Sequence, residues 1–263
     1  MAQSMSTIEN KGEKISLSTI GGGYEIFVSK DHTFGTDAVL LANFAGVKTT
    51  DNAIDLGTGC GIIPFLWKRD NKNIRAVGFE ISKNAIELAN ATKEKYNFKE
   101  LDFVEGDIKN PFAKLNKAQY TLVTCNPPYK AEGAGIISES TADQAARHET
   151  LCSLEDVISA SAGLLKFGGR LALCHRPERL GEIFSLMTKY KIEPKKLRLV
   201  CKSVGKEPWL VLVEGRLGGG KGLRILPNLY VYSKSGSMSD EMIKIYGPYA
   251  NENKITGKEK TVF

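Results

Sequence analysis

From residue 53 onward the chain alternates short apolar runs with stretches of helical spacing, and that alternation limits the folds open to it. Apolar runs at 53–56, 74–81, 101–108, 120–125 and 169–175 read as strands, and 196–201 with 209–215 as a final pair. Between them lie a helix over 61–70 with Pro64 in its first turn, and a helix from Ser82 toward Asn97. A third helix, capped by Ser153, has apolar residues at 154, 157, 158, 164 and 165; a fourth starts at Pro177. Repeated strand–helix units predict an α/β fold, a doubly wound parallel sheet with crossover helices on both faces. Ahead of it, residues 15–28 predict a hairpin around Gly21-Gly22-Gly23, and 38–45 a helix that Thr36 can cap. Three segments are expected: 1–46 as hairpin and helix packed on the core, 47–235 as the main domain, and 236–263 as a polar tail whose last dozen residues fray.

No apolar run approaches the roughly 20 residues that span a bilayer, and the first residues have no signal-peptide core. Cys60, Cys125, Cys152, Cys174 and Cys201 are odd in number and never in a C-x-x-C pair, which argues against a disulfide scaffold and for a reducing, cytoplasmic setting. No His/Cys/carboxylate cluster has metal-ligand spacing, so no metal is expected. The charge of +6 is uneven. Between Lys189 and Arg224 ten Lys/Arg face three Glu, a surplus of +7 on a nearly neutral body. A solvated basic face and a site for a polyanionic partner both fit that surplus.

Asp55-Leu56-Gly57-Thr58-Gly59-Cys60-Gly61 ends one strand and opens a helix, where glycines let backbone approach a ligand. A dinucleotide fingerprint would need its third glycine at 62, where Ile62 stands, and no Walker lysine follows. Glu80 ends the second strand, where a carboxylate can accept both hydroxyls of a ribose, and Asp107 follows the third, placed for an adenine amine. Singly, each acid is more often a helix cap or a surface charge. As an ordered set on successive strand ends they describe a pocket for S-adenosylmethionine.

The run 120–125 closes on Asn126-Pro127-Pro128-Tyr129. Two prolines cannot continue a ladder, since neither has an N–H to donate. They leave rigid acceptors, the Asn126 side-chain oxygen and the Pro127 carbonyl, beside an aromatic ring. A planar amine could be held there and methylated.

These motifs, with Gly106-Asp107-Ile108, resemble the Rossmann-like amino-methyltransferases. More narrowly, Phe34-Gly-Thr-Asp-Ala-Val-Leu-Leu41, Ala146-Arg147-His148-Glu149, the segment 175–180 and Leu210-Val-Leu-Val-Glu-Gly215 are similar to the bacterial tRNA1(Val) adenine-37 N6-methyltransferases. The resemblance covers roughly residues 15–235. It departs at Phe167, where Lys-Pro-Gly-Gly is usual, and at Pro208-Trp209. It implies a mostly parallel seven-stranded sheet and a cofactor site of Phe34, Thr36, Asp55, Gly57, Thr58, Gly59, Gly61, Glu80, Asp107, Ile108 and Asn126.

It also implies tRNA as partner, with Asn126, Pro127, Pro128 and Tyr129 acting on the base. Arg147 and His148, with the basic residues Lys195, Lys196, Arg198, Lys202, Lys206 and Lys221, would contact RNA, and the protein would be a monomer or weak dimer. Tyr129 stacking is worth about 1–3 kcal/mol, while extracting a base costs a few kcal/mol and least when it is unpaired. An unpaired loop adenine is therefore expected over a duplex one. Two other readings compete: methylation of a glutamine amide in a protein such as a release factor, and a catalytically idle RNA-binding module. Release-factor enzymes usually carry a sizeable helical domain before the glycine motif, and here only 54 residues precede Asp55. His175 reads as a satisfied structural residue, and His32 carries no assignment.

Overall fold

The apolar runs become strands wherever alternate residues can be buried on the two sides of one sheet. The computed structural model describes residues 14–71, 73–127 and 152–247. The chain opens with an antiparallel hairpin of β1 (Ser16–Gly21) and β2 (Tyr24–Val28). Gly21, Gly22 and Gly23 all take positive φ at its turn, a conformation that a side chain would disfavour. Helix α1 (Thr36–Ala45) follows. Its N-cap is Gly35 rather than Thr36, because the Thr36 hydroxyl turns inward to the Tyr246 hydroxyl at 2.9 Å; the first-turn donor of Ala38 is taken by Asp37 Oδ1 instead.

Then come β3 (Asn52–Leu56), α2 (Ile62–Asp70), β4 (Arg75–Glu80), α3 (Lys83–Tyr96), β5 (Leu101–Glu105) and β6 (Tyr120–Cys125). Helix α4 (Leu154–Leu164) begins at a capping box in which Ser153 and Asp156 satisfy each other's backbone N–H. It leads directly into β7 (Leu165–His175). The helix expected from Pro177 starts as a single 3-10 turn, Pro177–Arg179, and continues as α5 (Leu180–Lys189). Strands β8 (Ile192–Cys201) and β9 (Pro208–Leu217) form the final antiparallel pair, and two-residue strands β10 (Arg224–Ile225) and β11 (Leu229–Tyr230) add to β8.

The sheet order is β10-β8-β9-β7-β6-β3-β4-β5. The seven longer strands are the expected set; all neighbours among them pair parallel except β9, which runs against both β7 and β8. Side chains alternate across it. Ala53, Leu122, Ala172, Cys174, Leu210 and Leu212 join an apolar cluster with the hairpin, α1 and α2. Ile54, Leu56, Val123, Cys125, Leu171, Leu173, Val211 and Val213 join another with α4 and α5. One face is therefore built against α1 and the other against α4.

The expectation of a polar tail from residue 236 fails at helix α6 (Asp240–Tyr246). Ser239 caps it, and Met242, Ile245 and Tyr246, at i, i+3 and i+4, are buried in the cluster that holds α1. The polar composition of the surrounding residues hid this short stripe. Arg69 Nη1 donates to Ile20 O at 2.6 Å and to Tyr246 O at 3.4 Å, tying hairpin and α6 to α2. At the other end of α1, Arg170 Nη1 donates to Ala45 O (2.8 Å), while its guanidinium pairs with Asp51 (2.9 Å) and Glu214 (3.2 Å). Removing one partner from so enclosed a charge group costs about 3–5 kcal/mol.

Candidate active site

The parallel strands β3, β4, β5 and β6 all end at one edge, the usual place for a ligand in an open α/β sheet. There β3 turns sharply. Gly57, Gly59 and Gly61 have φ of 69°, 54° and 84°. A Cβ at Gly57 or Gly59 would meet nothing within 4 Å, so these two leave an open hollow beside the backbone. At Gly61 it would come within 2.8 Å of the Phe65 and Phe103 rings, so that glycine serves the packing of α2 on β5. The hollow fits a ligand that needs close backbone approach.

Around it sit the expected acids, in three different environments. Asp55 is 1 % exposed and accepts a 2.7 Å hydrogen bond from Thr124 Oγ1 on the next strand. Burial pushes its carboxyl up to about 7, opposed first by the Thr124 bond and aided by the Glu80 charge. Glu80 is also buried but is clothed by backbone: Oε2 accepts from Gly59 N (3.0 Å) and Oε1 from Ser82 N (2.9 Å). Each oxygen keeps acceptor capacity for a further donor. Asp107 is half-buried, with Oδ1 turned back to Lys109 N at 2.8 Å, and Ile108 beside it is half-buried too. His32 reaches this side, its Nε2 3.0 Å from the Ser82 hydroxyl at the start of α3.

Asn126 follows β6 on the strand adjacent to β3, one residue past the register pair Leu56–Cys125. Alternation puts Asp55, Thr124, Asn126 and Cys174 on the face toward α1. The Asn126 carboxamide has two partners: Nδ2 donates to Asp37 Oδ2 at 3.1 Å, and Oδ1 accepts from Cys174 Sγ at 2.9 Å. Burial pushes the Cys174 thiol well up, with the Asp37 charge adding to it, so it stays protonated and donates. Cys125 is likewise raised and Cys60 is pushed up to about 12, which leaves both as unreactive thiols at neutral pH.

The expected residues do not all converge. Phe34 is half-buried against the α1-side cluster, and the Thr36 hydroxyl is engaged by Tyr246. Pro127 is buried at the end of β6. Pro128, Tyr129, Arg147 and His148 lie outside the described residues.

The basic stretch divides between two edges of the sheet. Lys202 and Lys206 lie on the turn joining β8 to β9, at the same edge as Asn126. Lys221 follows β9 at the opposite edge, where Lys195 Nζ donates to the carbonyls of Gly220 and Gly222. Lys196 pairs at 2.9 Å with Glu214, an acid already counted in the surplus, and Arg198 at 2.7 Å with Glu241 outside the stretch, so part of the surplus charge is answered within the chain.

Two residues at this site were not singled out from the sequence, Asp37 and Cys174. An acid in a helix's first turn reads as a match for the helix dipole, and a cysteine in an apolar strand reads as core. Only strand parity, with Cys174 in phase with Asn126, could have flagged the second. His175 is buried, its Nδ1 accepting from Arg176 N at 2.8 Å. Among the described residues no helix is long and apolar enough to cross a membrane.

Residues 22–180 match the family model described as the methyltransferase small domain. The chain is 27% identical over 224 residues to a Porphyromonas gingivalis protein named tRNA1(Val) (adenine(37)-N6)-methyltransferase, with 82% of this chain and 87% of that one covered. It is 28% identical over 163 residues to the release factor glutamine methyltransferase of Buchnera aphidicola, with 59% and 57% covered. A solved structure from Agrobacterium tumefaciens, described as a predicted O-methyltransferase, superposes with a TM-score of 0.67 at 20% identity, over 82% of this chain and 97% of that one. That likeness carries the fold.

Proposed function

Because the chain belongs to the methyltransferase small-domain family, we propose that it moves a methyl group from S-adenosylmethionine to the exocyclic N6 amine of an unpaired adenine in tRNA, adenine 37 of a valine tRNA being the first candidate. The observation that carries the reading is the Asn126 carboxamide, held one strand from the glycine hollow with its oxygen end fixed. A relative of that name aligned over most of both chains supports RNA as the acceptor. The same substrate implies a cytoplasmic protein.

The donor would lie against Gly57, Thr58 and Gly59, with Glu80 accepting the ribose hydroxyls and Asp107 with Ile108 meeting the adenine. Gly61 and Thr36 support this pocket by packing. When bound, S-adenosylmethionine supplies an electrophilic methyl on a positively charged sulfur. An adenine amine is a poor nucleophile because its lone pair is delocalised into the ring. With one hydrogen accepted by Asn126 Oδ1 and the other by the Pro127 carbonyl, the nitrogen pyramidalises and its lone pair becomes available. No strong base is needed, since the proton leaves from a cationic product. The protein's share is orientation and acceptors matched to developing positive charge. Tyr129 would stack on the base.

Label transfer from S-adenosylmethionine to unmodified tRNA or to release factors tests the reading. Label in tRNA is expected, and its position is read by mass spectrometry of the nucleosides. Label in protein alone would instead favour the glutamine reading, which the Buchnera relative supports. Among the basic residues, Lys202 and Lys206 are the first to test against RNA, because they share the Asn126 edge. Replacing a lysine that neutralises one phosphate should make the fall of log affinity with log salt shallower by about 0.7. Lys196→Ala should leave that slope unchanged.

A further inference from the structure

A carboxamide is an ambiguous tool. Its two ends have nearly the same shape, yet one accepts hydrogen bonds and the other donates them. An Asn126 flipped by 180° would present an NH2 group to the amine and oppose its binding. Something must choose the flip, and two neighbours do. Asp37 Oδ2, 3.1 Å away, is a carboxylate that can only accept, so the end facing it is Nδ2. Cys174 Sγ, 2.9 Å from the other end, carries a hydrogen to give, so that end is Oδ1. The two come from opposite sides of the chain's order, one from the first turn of α1 and one from the end of β7. They impose the same answer.

We propose that Asp37 and Cys174 are positioning residues that hold the Asn126 carboxamide in one flip, so that its oxygen and not its NH2 meets the acceptor amine. This rests on the reading of Asn126 as the amine's acceptor, though not on which amine it is. It also sharpens that reading. An amide oxygen has two lone pairs, and the Cys174 thiol occupies one. A single site remains for the amine, so its second hydrogen must go to another acceptor, the role given above to the Pro127 carbonyl.

Asp37 has a competing, purely structural task, since its Oδ1 accepts from Ala38 N at 2.9 Å and helps start α1. The variants separate the two. Asp37→Leu should lower kcat about 100-fold, the scale of a misplaced reacting group, with both KM values unchanged. Asp37→Asn keeps an acceptor oxygen and should recover most of that loss. Cys174→Ala should cost about fivefold, one neutral hydrogen bond.

An infrared measurement decides the matter without turnover. The Cys174 S–H stretch, assigned by subtracting the Cys174→Ala spectrum, should lie at a hydrogen-bonded frequency in the wild type and in Asp37→Asn. In Asp37→Leu it should move to the free position as the amide loses its preferred flip. If Asp37→Leu lowers only the melting temperature, leaving kcat and the S–H band where they were, Asp37 is a helix-start residue and the proposal is overturned. If the wild type labels neither tRNA nor release factor, the acceptor reading fails, and the S–H band still decides whether Asp37 sets the flip.

Discussion

The same three strands, β3, β6 and β7, carry opposite characters on their two faces. Toward α4 they present the apolar side chains of Ile54, Leu56, Val123, Cys125, Leu171 and Leu173. Toward α1, the carboxyl ends of the same strands present Asp55, Thr124, Asn126 and Cys174. A two-residue repeat lets one side of a strand stabilise the fold while the other holds polar groups in fixed relation. The second side is the costly one. It buries Asp55 away from water, and that carboxyl gives up part of its charge as a result.

Substitutions on the two faces should therefore fail differently. On the polar side, Asn126→Ala should lower kcat by about 10³-fold, near 4 kcal/mol of lost transition-state stabilisation, with an almost unchanged melting temperature. On the apolar side, Leu173→Ala should cost about 3 kcal/mol of stability in urea denaturation, and kcat should persist wherever the protein remains folded. If Asn126→Ala instead unfolds the chain, or Leu173→Ala removes turnover from folded protein, the division between faces is wrong.

Acid and base titration probes the cost itself. The folded-state value of Asp55, about 7, stands above its ordinary value near 4, so the folded chain holds that proton more tightly than the unfolded one. Its contribution to stability is complete below about pH 4 and is lost as pH rises through 7. The slope is at most about 1.4 kcal/mol per pH unit. Asp55→Asn should remove that slope, so that the stability difference shifts in the variant's favour as pH rises over that window. The smallest effect, about 1 kcal/mol, is expected from Thr124→Val, which removes the hydroxyl that most opposes the rise and should carry the inflection to higher pH.

Much of this was legible in the residue order. The strand–helix alternation predicted the parallel sheet, and Asp55, the glycines and Asn126 fell at adjacent strand ends because a parallel sheet gathers its carboxyl ends on one edge. What escaped depends on pairings distant in sequence. The Asp37–Asn126 bond spans 89 residues and the Cys174–Asn126 bond 48. Neither residue type announces its partner. For a related reason, a charge surplus counted along the chain cannot show that Lys189 and Arg198 are answered by Glu155 and Glu241, which lie outside the counted stretch. Helix α6 was missed because three buried residues in a polar neighbourhood are a weak periodic signal.

Helix α1 can be viewed as a beam on two supports, both supplied from the second half of the chain. Arg170 grips the carbonyl of Ala45 at one end, and the Tyr246 hydroxyl meets Thr36 at the other. Asp37 sits beside the second support. A fragment ending before Asp240 would keep every strand of the sheet and every side chain around the glycine hollow. It would nevertheless free the end of the beam that aligns the carboxamide. Such a fragment would lose the buried Met242, Ile245 and Tyr246 together with that support, and the fault would lie 120 residues along the chain from the amide it disturbs.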